Sequence, residues 1–469
     1  MAQIKVDFNC TVGAIKPMHA VNNGPVAKSP NPNSWGGRSN MMEYMAAGIP
    51  FARNHDASFY SNYGNEHTVD VHAIFPRFEA DVNDPASYDF FCTDNYILTT
   101  EAAGTETFYR LGSRIEHEIK KYGTVMPKDF QKWAEICEHI IRHYTEGWAD
   151  GYRLNLRYWE IWNEPDLDPD DATDKRCWSG TQAQFFEFFH VVATHLKECF
   201  PHLKIGGPAI AGHMEWAEAF LAQLKAPIDF FSWHIYAHEV EKIADKAVRV
   251  RALLDKYGYT EVESILNEWN YVLGWHGDDL SYSHIVKRNA KGAAFTLGTM
   301  CACQKGGALD MLMYYDARPT TWNGLFDLYQ IGKCTLKGYY PFVMFNTLYR
   351  LGESVAIECD EPNLYACAAK NGEEAAVVLT HFNDTDAVDP KQITLDLTGY
   401  GAQSGAELEI YLLDEAHDLT LMESVVFYGD RLSWKTDVPN YTSYLLKMKK
   451  IFPLVANTQT IRHTYWSSL

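Results

Sequence analysis

Residues Arg157 to Asp166 read Arg-Tyr-Trp-Glu-Ile-Trp-Asn-Glu-Pro-Asp, an aromatic and β-branched run that stops on a proline. The run reads as a short, fully buried strand. Proline cannot donate to a sheet ladder, so Pro165 ends the strand and leaves Glu164 at its carboxyl tip beside the amide of Asn163. Farther along, Ser264-Ile265-Leu266-Asn267-Glu268-Trp269-Asn270 repeats the arrangement, with a glutamate where the strand should end. Two strand-tip glutamates on one barrel are what retaining glycoside hydrolysis needs.

Similar apolar runs capped by polar residues recur along the first three quarters of the chain. The expected strands are Lys16–Val21, Ile49–Arg53, Glu106–Arg110, Arg157–Trp162, Lys204–Pro208, Ile228–Ile235, Val262–Leu266 and Asp310–Tyr315. Helical stretches lie between them: Ser39–Ala47, Asp129–Gly147, Thr181–Phe200, Glu215–Leu224, Val240–Tyr257 and His284–Lys305. Strands alternating with helices in this way indicate an α/β chain, a (β/α)₈ TIM barrel over residues 1–350. The 469 residues leave room for a second module of about 100 residues.

After Arg350 the helical periodicity gives way to short alternating segments: Leu364–Ala369, Glu374–His381, Gln392–Leu397, Ala406–Leu412, Glu423–Phe427 and Ser443–Met448. Turn clusters such as Lys370-Asn371-Gly372 and Tyr428-Gly429-Asp430 separate them, the pattern of a small antiparallel β-sandwich over 351–469 with a C-terminal tail. Ile4–Phe8 alternates too, which makes residues 1–10 a candidate extra strand of that sandwich.

Several classes are disfavoured. No segment reaches the ~18 consecutive apolar residues of a membrane span, and no charged n-region with an apolar h-region opens the chain. A cytoplasmic location is the plain expectation. The ten cysteines have no framework spacing, so no metal site is expected at Cys301 and Cys303. A formal charge of −20 argues against nucleic acid and acidic membranes as partners.

Groups at the carboxyl ends of barrel strands face the active site. Glu164 follows the fourth expected strand and Glu268 the seventh, which could hold their carboxyls across a sugar-sized gap. One must be protonated to donate to a leaving oxygen and the other ionised to attack an anomeric carbon. In Phe231-Ser232-Trp233-His234-Ile235-Tyr236, period-two alternation puts Ser232, His234 and Tyr236 on one side. His234 and Tyr236 would then line the site, the tyrosine orienting a neighbouring nucleophile. Arg53 could hold Glu268 ionised by a bidentate bond, and His55 could reach a sugar hydroxyl. Asn163 is a candidate donor to a sugar 2-hydroxyl. Tyr314, Tyr315 and Trp322 are candidate stacking surfaces, with a core role for either tyrosine equally open.

With Pro127-Lys128-Asp129, Trp159–Leu167, Gly206-Gly207-Pro208, Asp229–Tyr236 and Glu268-Trp269-Asn270 in this order, the chain resembles glycoside hydrolase family 39. That is a family of β-xylosidases and α-L-iduronidases within the large (β/α)₈ clan of retaining glycosidases. The resemblance implies Glu164 as acid/base and Glu268 as nucleophile, with His234, Tyr236, Arg53 and His55 around the sugar. It departs at the end of strand eight, where Tyr314-Tyr315-Asp316 stands in place of the xylosidases' Trp followed by Ser-Asp. The expectation is a cofactor-free retaining exo-glycosidase acting on a β-xyloside. The alternatives are a related glycoside, iduronidase-like or other, and a non-catalytic carbohydrate-binding barrel. No nucleic acid or membrane partner is expected, and a homo-oligomer is compatible with the sequence. Arg318, Lys287 and Arg288 are the cations that a uronide would need, with helix positions expected to face solvent.

Overall fold

The computed structural model describes residues 2–26, 39–56, 68–319, 321–327, 333–385, 387 and 389–451. The expected C-terminal tail falls largely outside them. After β1 (Ala2–Ala14) come β2 (Ala20–Asn22), β3 (Phe51–Arg53), β4 (Glu106–Leu111), β5 (Tyr158–Ile161), β6 (Lys204–Ile210), β7 (Phe230–Ala237), β8 (Glu263–Tyr271) and β9 (Met311–Tyr314). Strands β2 to β9 pair in sequence order, all in parallel, and β9 returns to β2 to close an eight-stranded barrel. Strands β2, β3, β5 and β9 are only three or four residues long, because a polar or turn residue soon interrupts each apolar run.

The barrel interior is built in two levels, set by the strand period of two. The lower level is an apolar plug of Ala20, Phe51, Phe108, Tyr158, Phe230, Ile265, Met311 and Met313. Two residues farther along the same strands stand Asn22, Arg53, Arg110, Glu160, Ser232 and Asn267, all buried and all polar. The switch from apolar to polar marks where the apolar filling of the barrel ends.

The expected helices are present, with Phe130–Thr145, Gln182–Cys199, Met214–Gln223 and Val240–Lys256 within two residues of their expected ends. Asp129 accepts from Lys132 N as a helix cap at 3.0 Å, and Thr181 with Gln184 forms a capping box. One expectation fails. The helix placed over His284–Lys305 is two helices, Gly277–Val286 and Ala290–Gly306, because Asn289 is an N-cap whose side chain accepts from Lys291 N and Gly292 N. Phe91–Ala102 and Tyr340–Leu351 are helices that the periodicity did not expose. No helix among the described residues is long and apolar enough to cross a membrane.

The second sheet contains β1, β10 (Glu353–Cys359), β11 (Leu364–Lys370), β12 (Glu374–His381), β13 (Lys391–Leu413), β14 (Asp418–Val438) and β15 (Thr442–Lys450). They run in the order β1-β10-β11-β12-β15-β13-β14, and β1 also pairs with β13, so the sheet folds around a core of its own. All pairs are antiparallel except β1–β13. Residues 391–413, expected as two strands, form one strand with register shifts near Ala402, where glycines interrupt the alternation. The N-terminal strand joins this sheet, as its alternation suggested.

Gly206 shows how tightly the barrel closes. A Cβ there would meet the Phe230 carbonyl oxygen at 2.2 Å and the Phe230 ring at 2.7 Å. Relief would require moving β7. Gly206→Ala is expected to cost about 1–3 kcal/mol, the usual range for overpacking, read as a lower urea midpoint. An unchanged midpoint would contradict the close β6–β7 approach.

Candidate active site

Arg53 ends β3 with no exposure to solvent. Its Nε donates to Glu160 Oε2 at 2.6 Å, one terminal nitrogen to Glu268 Oε1 at 2.7 Å and Asn22 Oδ1 at 3.1 Å, and the other to Asn163 Oδ1 at 2.7 Å. The expected bidentate grip on Glu268 is therefore not what forms. The fork is shared among two carboxylates and two amides, because Glu160 sits on the same polar level of the barrel. Burial alone would lower the guanidinium's pKa, and Glu160 and Glu268 more than offset it. Glu160 is held in turn by Ser232 Oγ at 2.6 Å and by Asn267 Nδ2.

Glu268 was expected at a strand tip, but β8 continues to Tyr271. Beyond Trp233, β7 pairs only with β8 among the described residues, through His234↔Glu268, Tyr236↔Asn270 and Ala237↔Tyr271. Asn270 and Tyr271, beyond the last β8–β9 pair at Trp269, thus run with β7 past the barrel rim as a ribbon. Tyr236 Oη donates to Glu268 Oε2 at 2.8 Å, complementing Arg53 on Oε1. Burial pushes the Glu268 pKa up, opposed by the neighbouring His234, by the Arg53 charge and by the tyrosine hydrogen bond.

Glu164 follows β5 through two left-handed residues, Trp162 at φ 75° and Glu164 itself at φ 47°. This turn lifts the side chain over the barrel, and Glu164 N donates to Ala209 O at 2.8 Å. Glu164 Oε1 lies 2.8 Å from His234 Nδ1, and that nitrogen is 3.7 Å from Glu268 Oε2. One donor or acceptor atom from each of Glu164, His234 and Glu268 lies within 4.8 Å of the other two. Burial and the nearby Asp166 carboxylate push the Glu164 pKa up to about 8, while burial pushes His234 down to about 4. The Glu164–His234 contact is therefore between a protonated carboxyl and a neutral imidazole at neutral pH.

The three groups have ligand-like spacing, but Arg53 already places a positive charge against Glu268. A second such group, Glu138, His195 and Cys199, lies on the outer helices, where Arg142 and Gln131 engage it. His55 is buried with Nδ1 3.3 Å from Arg53 and its ring edge-on to Tyr315. Burial, reinforced by Arg53 and Arg110, keeps it neutral. Trp322 is half-buried against Tyr236, Trp275 and Tyr315, and its carbonyl accepts from Asn270 Nδ2 at 2.9 Å.

The strand-eight tyrosines divide. Tyr314 packs in the core against Trp269 and Phe342, and Tyr315 forms part of the site wall. Arg318 is committed to Asp316 at 2.8 Å and Asp56 at 3.0 Å, and Arg288 to Asp327. Lys287, expected to face solvent, is buried, with Nζ 4.4 Å over the Trp322 ring and 3.4 Å from His284 Nδ1. Burial lowers its pKa to about 7. Glu160, Asn22 and Asn267 were missed. A lone charge within Tyr158-Trp159-Glu160-Ile161-Trp162 was the available signal for Glu160.

Residues 66–271 match the family model described as glycosyl hydrolases family 39. A β-xylosidase of Geobacillus stearothermophilus is 26% identical over 270 residues, 49% of each chain, so the match spans about half of that relative's length. A β-xylosidase of Caldicellulosiruptor saccharolyticus is 24% identical over 352 residues, 67% of this chain and 68% of that one. Among solved structures, a glucosidase from Croceicoccus marinus superposes with a TM-score of 0.76 at 20% identity, covering 96% of this chain and 99% of that one. A monomeric β-xylosidase from Caulobacter crescentus gives 0.68 at 15% identity, with 96% and 100% covered. These likenesses carry the fold.

Arg53 is the test of how the centre holds together. Arg53→Met would leave the Glu160 and Glu268 carboxylates buried without their counter-charge, a loss expected to cost about 3–5 kcal/mol. The measurement is urea denaturation of the variant at neutral pH. A loss below about 1 kcal/mol, the size of a surface pair, would contradict a shared buried fork.

Proposed function

We propose that the chain, whose residues 66–271 match the model of glycosyl hydrolases family 39, is a member of that family and a retaining glycosidase in which Glu268 is the nucleophile and Glu164 the acid/base. The observation that carries this reading is the unequal setting of two close carboxyls. Burial raises both, but Glu268 is held by a guanidinium and a phenol, whereas Glu164 is pushed up to about 8 beside a neutral histidine. Oxygens within 4.8 Å of one another support the retaining spacing of about 5–5.5 Å between carboxyl groups over the wider inverting one.

In the first step a Glu268 oxygen attacks the anomeric carbon, the bond to the leaving oxygen breaks, and Glu164 gives its proton to that oxygen. Donation from His234 Nδ1–H to Oε1 leaves the other Glu164 oxygen to carry this proton. Water then enters, Glu164 takes its proton, and the hydroxide displaces Glu268 with net retention. Arg53 and Tyr236 stabilise the carboxylate before attack and as it departs. Arg53 also fixes Asn163 Oδ1, which leaves the amide nitrogen as the donor for a sugar 2-hydroxyl. His55 and the Trp322 face bound the sugar.

The leading substrate is a β-xyloside, supported by the curated relatives' activity. A uronide is the second reading, and the observation favouring it is Lys287. This buried ammonium beside Trp322 makes hydrogen-bonding contact with a histidine rather than an acid. Measuring kcat/KM on nitrophenyl β-xyloside, β-glucoside and a matched uronide separates the two. A uronide preference of about tenfold, near 1.4 kcal/mol, would overturn the pentose assignment. Hydrolysis of none would favour a carbohydrate-binding barrel.

The acid must be protonated to donate, so its active form is full below its pKa and lost above it. The kcat/KM of the free enzyme is therefore expected to fall as pH rises through about 8. Glu164→Ala should abolish this limb while sparing substrates whose leaving groups need no proton. An alkaline limb that persists in Glu164→Ala would remove Glu164 from the role.

A further inference from the structure

Past the barrel rim, His234–Ala237 of β7 and Asn270–Tyr271 of β8 have only each other as sheet partners among the described residues. A two-stranded ribbon is marginal alone and needs outside support. The loop after β12 supplies it from the sandwich. Asp384 accepts from His238 Nδ1 at 2.6 Å, from Lys291 Nζ at 2.5 Å and from Tyr271 Oη at 3.1 Å. His238 lies two residues beyond Tyr236, and Tyr271 three beyond Glu268.

The loop is itself pinned. Asn440 bonds both the amide and the carbonyl of Asn383, at 2.9 and 2.8 Å, and Tyr441 Oη donates to the same carbonyl. Apolar contacts run parallel to the polar ones. Tyr441 packs on Phe382, Phe382 on Phe295, and Phe295 on both Tyr271 and Trp269, the neighbour of Glu268. Despite the opposing effect of burial, Lys291 and His238 keep Asp384 below the usual carboxylate range, so the clamp is ionised.

We propose that Asp384 is a positioning residue of the active centre, by which the sandwich domain holds the β7–β8 ribbon and so aims Tyr236 and Glu268. On this account the sandwich is a working part of the glycosidase rather than an appended module. The inference rests on the glycosidase reading for its kinetic arm only. Sub-ångström aim matters because a misplacement of about 1 Å at reacting groups can cost about 100-fold in rate.

Two variants separate positioning from bulk stability. Asp384→Asn keeps the size and removes the charge. Asp418→Ala breaks a different interdomain pair, Asp418 with Lys333 and Lys337, whose ion pairs involve none of His238, Lys291 and Tyr271. On the best nitrophenyl glycoside, Asp384→Asn is expected to lower kcat about tenfold or more with KM within about twofold. Asp418→Ala keeps kcat, whatever it does to Tm. Tyr271→Phe, which removes one hydroxyl, moves kcat the same way by less and covers the case in which Asp384→Asn folds poorly.

Amide hydrogen exchange gives a readout without substrate. Peptides spanning 234–238 and 268–272 should exchange faster in Asp384→Asn and Tyr271→Phe but not in Asp418→Ala. Unchanged exchange there, kcat within about twofold of wild type, or equal losses in Asp384→Asn and Asp418→Ala would each overturn the proposal. Normal exchange changes in a protein inactive on every glycoside would instead count against the glycosidase reading and leave the clamp standing.

Discussion

The centre depends on one buried guanidinium. Arg53 touches Glu160, Glu268, Asn163 and Asn22, which come from β5, β8, the turn after β5 and β2. Removing so many charges from water is costly, and a single ion pair in the interior often does no better than break even. What offsets the cost here is that every nitrogen of the fork is bonded, with Ser232 and Asn267 both donating to the other oxygen of Glu160. The arrangement is possible only because the barrel interior turns polar at one level on six strands at once.

From that hub the two proposed catalytic groups diverge. Glu268 lies on a strand, gripped at both oxygens, which suits a carboxylate that must stay aimed and ionised. Glu164 follows a turn with two left-handed residues, a conformation that costs on the order of 1–3 kcal/mol per residue. Strain of this kind persists only where the surroundings impose it, and here the Ala209 carbonyl and His234 do so. Asp166 adds negative charge nearby while its own carboxylate caps the backbone at Ala211 to His213. The proposed acid is thus favoured in its protonated form by burial and a neighbour, while donors on both oxygens of the proposed nucleophile oppose the same effect of burial. That is the kind of difference in setting that acid/base chemistry uses.

Much of this was legible because the strand period and the apolar runs are strong signals. All eight barrel strands were placed, and alternation in Phe231–Tyr236 put Ser232, His234 and Tyr236 on the inner side, where each bonds a glutamate. Other features depend on tertiary pairing. That β8 continues to Tyr271 is fixed by its pairing with β7, although Trp269 and Tyr271 are themselves strand formers. Glu160 looks like any strand residue until Arg53 is brought against it. Lys287 sits at a helix end that reads as solvent-facing, and in the fold the Trp322 ring covers its ammonium end. Asp384 is a turn residue in the sequence and an interdomain clamp in the structure.

The division of labour between the glutamates is tested most directly by trapping the intermediate. A 2-deoxy-2-fluoro glycosyl fluoride of the preferred sugar slows both steps, but its good leaving group lets the first proceed, so a covalent adduct accumulates. The account predicts a mass gain of one fluorosugar on the peptide that contains Glu268, at that side chain. Label on another residue, or steady turnover with inverted product and no adduct, would contradict it.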